Sequence, residues 1–526
     1  MQYLYTIIKA DYLQRTRSYS FLITLAVTLF IAYAFIPAQD AGYTTLSASG
    51  YKGAYNSAWV GYVSGIMTTV MLTYYGFLLV NSGIKKDIET EVGLIIATSP
   101  ISNFRYLLGK QLSNYMVLLT IAGVTFVVSI AMFFFRGVGY PFIWSNFLLP
   151  YLFFAVPALF LVSSLAVVGE VFLRKRSVLQ FIAYFALCGI CMSLINNKSG
   201  VEPSGFFDPF GLNLITKSVV NHINTLYNEQ IQDVSFGFIF NGQKSYKIFE
   251  WEGLNWTAAF MLSRLLWMGF GVLLIFISAK FFHRFDFRQS TKVSNKKKGI
   301  PAVVSVTPVN QHLEISRATL PPIEFDYGIF SFVKTELLLL IRQGNKWLWV
   351  FNFGLWVAMC FVPLAIAHAY LLPILLFLQV TRWSELATKE NTNRVHYFAF
   401  ASYQPLQRLL PAQILSGIVL AIALSLPVMV RSVLNGDGIA VINIVNGAAL
   451  VVLLAVALGI ASGGKKLFEI LFFFLTYSVL NKVPVTDYLG SLPESKTVFF
   501  VMVVLAINLL LLAISVVKRR YEIRHL

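Results

Sequence analysis

The sequence predicts an all-α integral membrane protein with about twelve transmembrane helices, arranged as two tandem six-helix repeats. Three observations predict this class. Hydrophobic residues make up 57% of the 526 residues and charged residues only 12%, whereas soluble domains carry about 25% charged residues. Apolar runs of about 20 residues, the length that a helix needs to cross a bilayer, recur along the chain. The polar landmarks between these runs occur in the same order twice.

The distribution of charge supports this topology. Of the 41 Lys and Arg residues, it places 31 on the cytoplasmic side and 9 outside, with Arg264 inside a span; the acidic residues divide into 14 inside and 10 outside. This asymmetry is the positive-inside bias of membrane proteins rather than the basic stripe of a nucleic-acid-binding protein. We therefore expect no nucleic-acid partner. We expect a multi-pass protein of the cell (cytoplasmic or inner) membrane with both termini in the cytoplasm.

Apolar length and polar breaks divide the chain into spans and domains. The twelve spans are predicted near 19–36, 58–80, 113–135, 148–172, 177–196, 257–281, 347–364, 366–383, 409–430, 439–461, 467–481 and 497–517. The predicted domains are an interfacial elbow helix at 1–18, the first six-helix half at 19–282 with an extracellular segment at 197–256, a cytoplasmic linker at 283–327, a second elbow helix at 328–346 and the second half at 347–526. The extracellular segment is predicted to dip into the outer leaflet or to cover the exit of a pathway, unless it is only a surface loop.

Each half opens with an amphipathic stretch. The first stretch carries Lys9 and Asp11 before the first span, and Lys334 and Glu336 occupy the matching positions before the seventh. A helix of this kind can lie in the membrane interface before the chain turns into the bilayer. The alternative is that each stretch is the frayed start of the span that follows.

A charged and then apolar loop follows the second span of each half. The first loop predicts a short helix over 85–97, and the second predicts one over 386–400. Apolar side chains exposed on a short loop helix indicate a binding surface; the alternative is a loop packed under its own bundle. The candidate residues of the first loop are Asp87, Glu89, Glu91, Leu94, Ile95, Ile96, Pro100 and Arg105. Those of the second loop are Glu385, Lys389, Glu390, Arg394, Phe398 and Arg408.

The ionisable residues singled out within or at the edges of spans are Arg264, Glu170 and Glu469. Charges inside a membrane are candidates for function. All three lie near an interface, however, where Arg264 can extend its guanidinium towards water. Glu170 is close to Arg174, and Glu469 is close to Lys465 and Lys466. Structural ion pairs are therefore favoured over transport chemistry.

One of these loops resembles a known family. The string GIKKDIETEVGLIIATSPISNFRYLLGK (83–110) is similar to the coupling-helix loop of the permease subunits of type-2 ATP-binding-cassette (ABC) exporters. The segments FDPFG (207–211) and SRLLW (263–267) resemble a bacterial full-length branch of that family, in which two six-helix halves are fused. The second loop departs from the pattern, because Pro411 replaces a glycine and the acidic triplet is missing. Docking at the second loop is therefore expected to be weaker.

The resemblance implies a function in transport. It implies a permease that binds a separate cytoplasmic ABC ATPase, as a dimer, through the two loops. ATP and magnesium would be bound by the ATPase, and this chain would hold no cofactor and no metal and would not itself be an enzyme. In the family the second and fifth spans of each half face the pathway; here these are 58–80, 177–196, 366–383 and 467–481. They are strongly apolar, so a hydrophobic or lipid-like substrate is expected, with membrane lipid as a further partner.

Two other classes remain as alternatives. An ion-coupled secondary transporter with two six-helix repeats should have carboxylates at the bilayer midplane, which the predicted spans lack. A membrane-embedded assembly or scaffold protein should have a dedicated soluble domain, which the sequence does not offer. The sequence also contains no G-x(4)-G-K-[ST] motif to hold nucleotide phosphates and no HExxH or GxSxG motif.

Overall fold

The computed structural model describes residues 2–39, 41–90, 92–137, 139–173, 177–193, 208–228, 230–231, 234–240, 246–282, 328–343 and 346–525. The linker predicted at 283–327 lies outside the described residues. We call residues 2–282 the first half and residues 328–525 the second half.

The first half is mostly helical. Its helices are α1 (Gln2–Thr16), α2 (Tyr19–Ala34), α3 (Ser57–Val80), α4 (Gly83–Glu89), α5 (Val92–Thr98), α6 (Asn103–Arg136), α7 (Trp144–Pro150), α8 (Val156–Leu173), α9 (Ser177–Ser193), α10 (Leu212–Tyr227) and α11 (Ala258–Phe281). A π-helical turn, Tyr151–Ala155, joins α7 to α8. Pro150 and Pro157 flank this turn, and because proline has no N–H to donate, the regular α-helical bonding is interrupted there.

The second half is also mostly helical. Its helices are α12 (Ile329–Arg342), α13 (Lys346–Phe361), α14 (Leu364–Ile366), α15 (Leu372–Phe377), α16 (Val380–Glu385), α17 (Lys389–Thr392), α18 (His396–Phe400), α19 (Pro405–Leu434), α20 (Gly438–Ser462), α21 (Lys466–Leu480) and α22 (Val498–Arg524). The span predicted at 366–383 is divided, because a π-helical turn (Ala367–Leu371) separates α14 from α15 and the chain breaks again before α16.

The lengths of these helices fit a multi-pass membrane protein. Among the described residues, seven helical stretches are long and apolar enough to cross a bilayer: Ser57–Ile88, Asn103–Arg136, Trp144–Leu173, Ala258–Phe281, Pro405–Leu434, Gly438–Ser462 and Val498–Arg524. A pair bent by 72°, Leu4–Thr16 with Phe21–Ala34, raises the number to eight if it counts as one span. The predicted membrane class, mostly α-helical, is therefore confirmed. Helices α9, α13 and α21 lie where spans were predicted but contain 17, 16 and 15 residues, so the number twelve stays a prediction.

Corresponding helices make similar contacts in the two halves. Helix α1 packs on α6 as α12 packs on α19, and α8 packs on α11 as α20 packs on α22. Gly109 allows the first of these contacts, since a Cβ at this position would lie 3.2 Å from Ile7 Cγ2. The tandem repeat stays a prediction, because two bundles with this order of helix lengths can pack alike without being copies.

A small β-sheet lies at one end of the bundle. Its strands are β1 (Tyr43–Ala48), β2 (Tyr51–Gly53), β3 (Val234–Phe240) and β4 (Lys247–Phe249), in the order β3-β1-β2-β4. Strand β1 is antiparallel to β2 and β3, and β2 is parallel to β4. We call this the sheet end. The sequence-based prediction of helices alone missed this sheet, in which the loop before α3 pairs with strands of the segment predicted at 197–256.

Aromatic side chains fix the sheet end to the bundle. Trp251 contacts Trp59 and Tyr62 of α3 edge-on, with ring centroids 6.2 and 5.0 Å apart. On the other side of the sheet, a Cβ on Gly237 of β3 would lie 2.7 Å from the Tyr477 hydroxyl of the second half. The sheet end therefore contacts both halves of the bundle. This placement agrees with a cover over the bundle rather than with a separate loop.

Candidate docking loops and the interface between the halves

The loop after α3 consists of two short helices, α4 and α5, and not of the single helix predicted over 85–97. Helix α3 begins beside the sheet and ends at this loop, so α4 and α5 lie at the opposite end of the bundle, which we call the loop end. Ile95 is 72% exposed there, and Val92 is also exposed. Ile96 is half-buried and packs against the bundle. The loop thus presents part of its apolar sequence to the surroundings and buries the rest.

Glu170 of α8 holds the start of α4 in place. Its carboxylate accepts four backbone N–H groups, those of Ser82, Gly83, Ile84 and Lys85, at 2.7 to 3.0 Å. These are the donors that the first turn of a helix leaves without an intrahelical partner, and a negative charge there also suits the helix dipole. Sequence reasoning missed this role, because nothing in the local sequence links Glu170 to a loop about 85 residues earlier.

Asp87 faces inward, against its predicted role as an exposed docking residue. It is 8% exposed, and its Oδ2 lies 2.7 Å from Lys110 Nζ and accepts the Tyr106 hydroxyl at 2.7 Å. Lys110 also lies 2.7 Å from Asp11 of α1. The sequence could not reveal this arrangement, because it depends on α1, α4 and α6 meeting in space. A lysine between two carboxylates ties the elbow helix, the loop and the long helix together.

The second loop, α17 and α18, combines buried charges with exposed aromatic rings. Phe398 is 83% exposed. Lys389 pairs with Glu336 of the second elbow helix, α12, and Gln413 of α19 donates to buried Glu390 at 2.6 Å. An acidic residue of each elbow helix, at matching positions in the sequence, is therefore ion-paired with a lysine of its own half. The predicted helix over 386–400 is again two shorter helices.

Burial raises the pKa of the Glu390 carboxyl above its ordinary value of 4.5, and Lys389 opposes part of this effect. The folded chain then keeps this proton to higher pH than the unfolded chain, so the stabilisation is complete below pH 4.5 and is lost as pH rises through the folded-state pKa. We expect Glu390→Gln, which can still accept the Gln413 bond, to raise the melting temperature at pH 7. At pH 4 the variant should melt close to the wild type. Thermal unfolding in detergent at both pH values measures this, and a lower melting temperature at pH 7 would contradict it.

Two adjacent lysines, Lys465 and Lys466, make different contacts at the loop end. Lys465 pairs with Glu385 at 2.6 Å. Lys466 donates to the Leu78 carbonyl at the end of α3 at 2.8 Å and pairs with buried Glu469 at 3.1 Å. The predicted pair of Glu469 with its neighbouring lysines is thus present through Lys466, whereas Lys465 belongs to Glu385. Lys466 therefore joins the second half to the end of α3, just before the first loop.

The helices expected to face a pathway meet where the two halves join. Tyr74 of α3 stacks on Phe185 of α9 and on Phe473 of α21, with ring centroids 5.9 and 6.0 Å apart. Phe185 stacks on Phe473 at 5.6 Å and contacts Phe377 of α15 at 6.2 Å. The resemblance implied that these four segments face one pathway, and aromatic rings from all four are in contact. That they form a pathway stays a prediction.

Arg264 is buried within α11, and its guanidinium does not extend to the surface as predicted. Its guanidinium donates to the main-chain carbonyls of Asp208 and Pro209, the latter at 3.1 Å. The Asp208 carboxylate in turn accepts the N–H groups of Gly211 and Asn213 at 2.8 Å each, at the start of α10. Two segments that the sequence singled out separately, FDPFG and SRLLW, are therefore in contact within the described residues. Their contact positions α10 at the sheet end.

Replacing Arg264 with Met should destabilise the sheet end. The substitution leaves two buried carbonyls without their donor, which costs about 3 kcal/mol because a charged donor is lost. Limited proteolysis of the purified chain should cut near α10 at least tenfold faster, while Arg264→Lys should lie between the variant and the wild type. Unchanged cleavage in Arg264→Met would show that the contact is dispensable.

The other predicted site residues take up scattered positions. Exposed residues are Lys9, Lys334, Pro100, Arg105 and Arg394. Arg408, in the first turns of α19, stacks over the Phe332 ring of α12 at 4.5 Å. Glu91 lies outside the described residues, as do the side chains of Glu89 and Leu94, so the structure does not place the full acidic triplet.

Arg382 is a functional candidate that sequence reasoning missed. It is buried at the start of the second loop region and donates to the carbonyls of Leu340 and Gln343, at 3.1 and 2.9 Å, at the end of α12. It also stacks over the Trp349 ring at 4.6 Å. A charged residue inside a predicted apolar span was the available signal.

Comparisons with known proteins add no family to this picture. The chain matches no protein-family model, no curated protein and no solved structure.

Proposed function

We propose that this chain is the full-length permease of an ATP-driven exporter, with ATP hydrolysis in a separate cytoplasmic ABC ATPase. The observation that supports this best is the construction of the loop end. Ile95 and Phe398 expose apolar side chains on two loops. Ion pairs link each loop to the elbow helix of its half, and buried polar contacts fix it to the bundle. When a bound partner moves, a loop held this firmly can pass the movement on to the helices that the loop connects.

The proposal assigns the loop end to the cytoplasm. Its support is the excess of Lys and Arg on that side of the predicted topology. Two loops on one face suit a dimeric partner, since each loop then meets one ATPase subunit. ATP and magnesium belong to that partner, because the chain has no loop of the kind that cradles nucleotide phosphates.

The proposal also assigns a hydrophobic or lipid-like substrate. Its support is the aromatic surface between the halves, where Tyr74, Phe185, Phe377 and Phe473 pack together. In an alternating-access cycle, closure of the ATPase dimer would displace the loops and separate these rings. An apolar substrate could then contact them without leaving a charge unsolvated.

The division of labour between two chains is testable directly. The purified chain alone should show no change in melting temperature with millimolar ATP and magnesium, because no phosphate-binding loop is present. An ATPase should copurify with the tagged chain from its native host, and its activity should respond to lipid-like compounds. Stabilisation of the lone chain by ATP would contradict the proposal, as would transport activity without any ATPase.

A further inference from the structure

Two cations of the sheet end, Lys52 and Arg136, pack against the rings of Tyr55 and Tyr33. Strand β2 places Lys52 among tyrosines, with its Nζ 4.8 Å from the Tyr55 ring centroid. The last residue of α6 is Arg136, whose guanidinium carbon lies 4.9 Å from the Tyr33 ring centroid. Lys52 is only 8% exposed. A lysine buried to this extent is normally paired with a carboxylate.

Among the described residues, no carboxylate forms an ion pair with Lys52 or Arg136. The Nη1 atom of Arg136 is buried and has no hydrogen-bond partner in that part of the chain. Burial lowers the pKa of Lys52, and the charge of Arg136 lowers it further. Both effects disfavour the charged form of Lys52. An anion bound beside the two cations would oppose both effects and stabilise their charges.

The surrounding tyrosines do not supply that anion. Tyr43 donates its hydroxyl to the Ala34 carbonyl at 3.2 Å, and Tyr55 donates to the Pro37 carbonyl at 2.5 Å. Burial raises the pKa of both hydroxyls, so they stay neutral. The rings offer only their faces to the cations, which is a weaker interaction than an ion pair. The helix dipole accounts for an arginine at the end of α6, but it does not account for the buried lysine.

The setting of the site indicates the source of the anion. Arg136 ends a 34-residue helix that is long and apolar enough to cross the bilayer, and such a residue lies at the level of lipid headgroups. Phe134 and Phe135, next to it in the chain, are 68% and 78% exposed. Apolar rings exposed beside a cation suit a ligand with both an anionic head and an apolar chain.

We propose that Lys52 and Arg136 together bind the anionic headgroup of a phospholipid at the sheet end of the molecule. A phosphate oxygen would accept hydrogen bonds from the Lys52 ammonium and from the guanidinium of Arg136, including its unpartnered Nη1. Binding would neutralise the repulsion between the two cations. The site requires no transport activity and no ATPase, so it stands or falls independently of the proposed function.

The purified full-length chain in detergent provides the test. Short-chain phosphatidylglycerol should raise the melting temperature saturably, and zwitterionic phosphatidylcholine should have much less effect. Lys52→Met and Arg136→Gln should each raise the midpoint concentration of this effect by about tenfold, since each removes one charge-assisted hydrogen bond. Lys217→Gln, which removes an exposed cation of α10 at the same end, should leave the midpoint unchanged.

A second readout separates binding from a purely structural role. Without phosphatidylglycerol, Lys52→Met should melt at the same temperature as the wild type or higher, because a buried unpaired charge has been removed. With saturating phosphatidylglycerol it should melt lower. If Lys52→Met fails to fold, Lys52→Arg and Arg136→Gln carry the test: the first should keep the midpoint within about threefold, and the second should not.

Three outcomes would overturn the proposal. A lower melting temperature for Lys52→Met with and without lipid, at an unchanged midpoint, would make the lysine structural only. An equal stabilisation by inorganic phosphate at the same concentration would make the ligand a soluble anion and not a lipid. Tighter phosphatidylglycerol binding in Asp40→Asn would mean that Asp40, which lies outside the described residues, already neutralises the pair.

Discussion

A chain that carries Ile95→Asp should insert and fold normally but lose its ATPase partner. Ile95 is exposed, so the substitution changes the free energy of unfolding by no more than about 0.5 kcal/mol. A central apolar anchor of an interface contributes more than about 2 kcal/mol to binding, which corresponds to a complex roughly 30-fold weaker. A buried aspartate in place of that anchor adds a desolvation cost. Pull-down of the ATPase and transport in vesicles should both fall to background, while the melting temperature of the chain stays unchanged.

Two variants control this experiment. Val485→Asp makes the same kind of change at the opposite end of the molecule, where Val485 is 84% exposed, and it should retain the ATPase. Phe398→Asp should weaken the complex less than Ile95→Asp if the second loop is the poorer dock, as its sequence predicts. Full ATPase binding by Ile95→Asp would mean that the loop is only structural and that the resemblance to coupling loops is misleading.

Loss of the Glu170 carboxylate should loosen the start of the first loop. In Glu170→Ala, the backbone N–H groups of residues 82–85 lose their acceptor, and the local free energy of opening should fall by about 3 kcal/mol. Hydrogen exchange at these amides should then be faster by about 100-fold. Glu170→Gln should show a smaller increase, because an amide oxygen can still accept some of these bonds but carries no charge.

Glu469→Ala is the matched control for this prediction. Glu469 is a buried carboxylate of the same end, but it pairs with the Lys466 side chain and not with backbone amides. Its loss should leave exchange at residues 82–85 unchanged. If Glu170→Ala also leaves that exchange unchanged, the four hydrogen bonds do not hold the loop. If exchange rises while transport persists, the loop position matters for stability but not for coupling.

The local sequence contained most of the information that predicts where the helices lie along the chain. Apolar length and the polar breaks between runs predicted where helices lie, because a helix needs only neighbours along the chain to form its hydrogen bonds. The matching positions of Asp11 and Glu336 in the two elbow stretches predicted related roles, and each is ion-paired with a lysine. The apolar patch of the first loop was visible in the same way, as Val92 and Ile95 show.

Other features depend on residues far apart in the chain. The pairing of Tyr43 with Phe240 in the sheet joins strands almost 200 residues apart, and short strands leave little trace in a local pattern. Glu170 accepts the amides of α4, which its position in the sequence does not indicate; Arg174, its expected partner, lies outside the described residues. Asp87 carries the same charge as its neighbour Glu89, yet its carboxylate is buried between Lys110 and Tyr106. When a loop has no regular hydrophobic period, the spacing of its residues cannot show which carboxylates face the bundle and which face the surroundings.

The sequence alone therefore determined that lipid surrounds the chain and that the chain forms helices. A chain with 57% hydrophobic and 12% charged residues has to be solvated by lipid, and in lipid each backbone N–H must find a partner within the protein, which helices provide locally. Only the tertiary structure decided which charged side chains are paired with one another inside the molecule. It pairs Lys110 with two carboxylates and gives Lys52 and Arg136, both at the sheet end, no carboxylate from the described residues. The reason is physical: the cost of a buried charge depends on every group that surrounds it in space, and those groups come from helices and strands that the sequence places far apart.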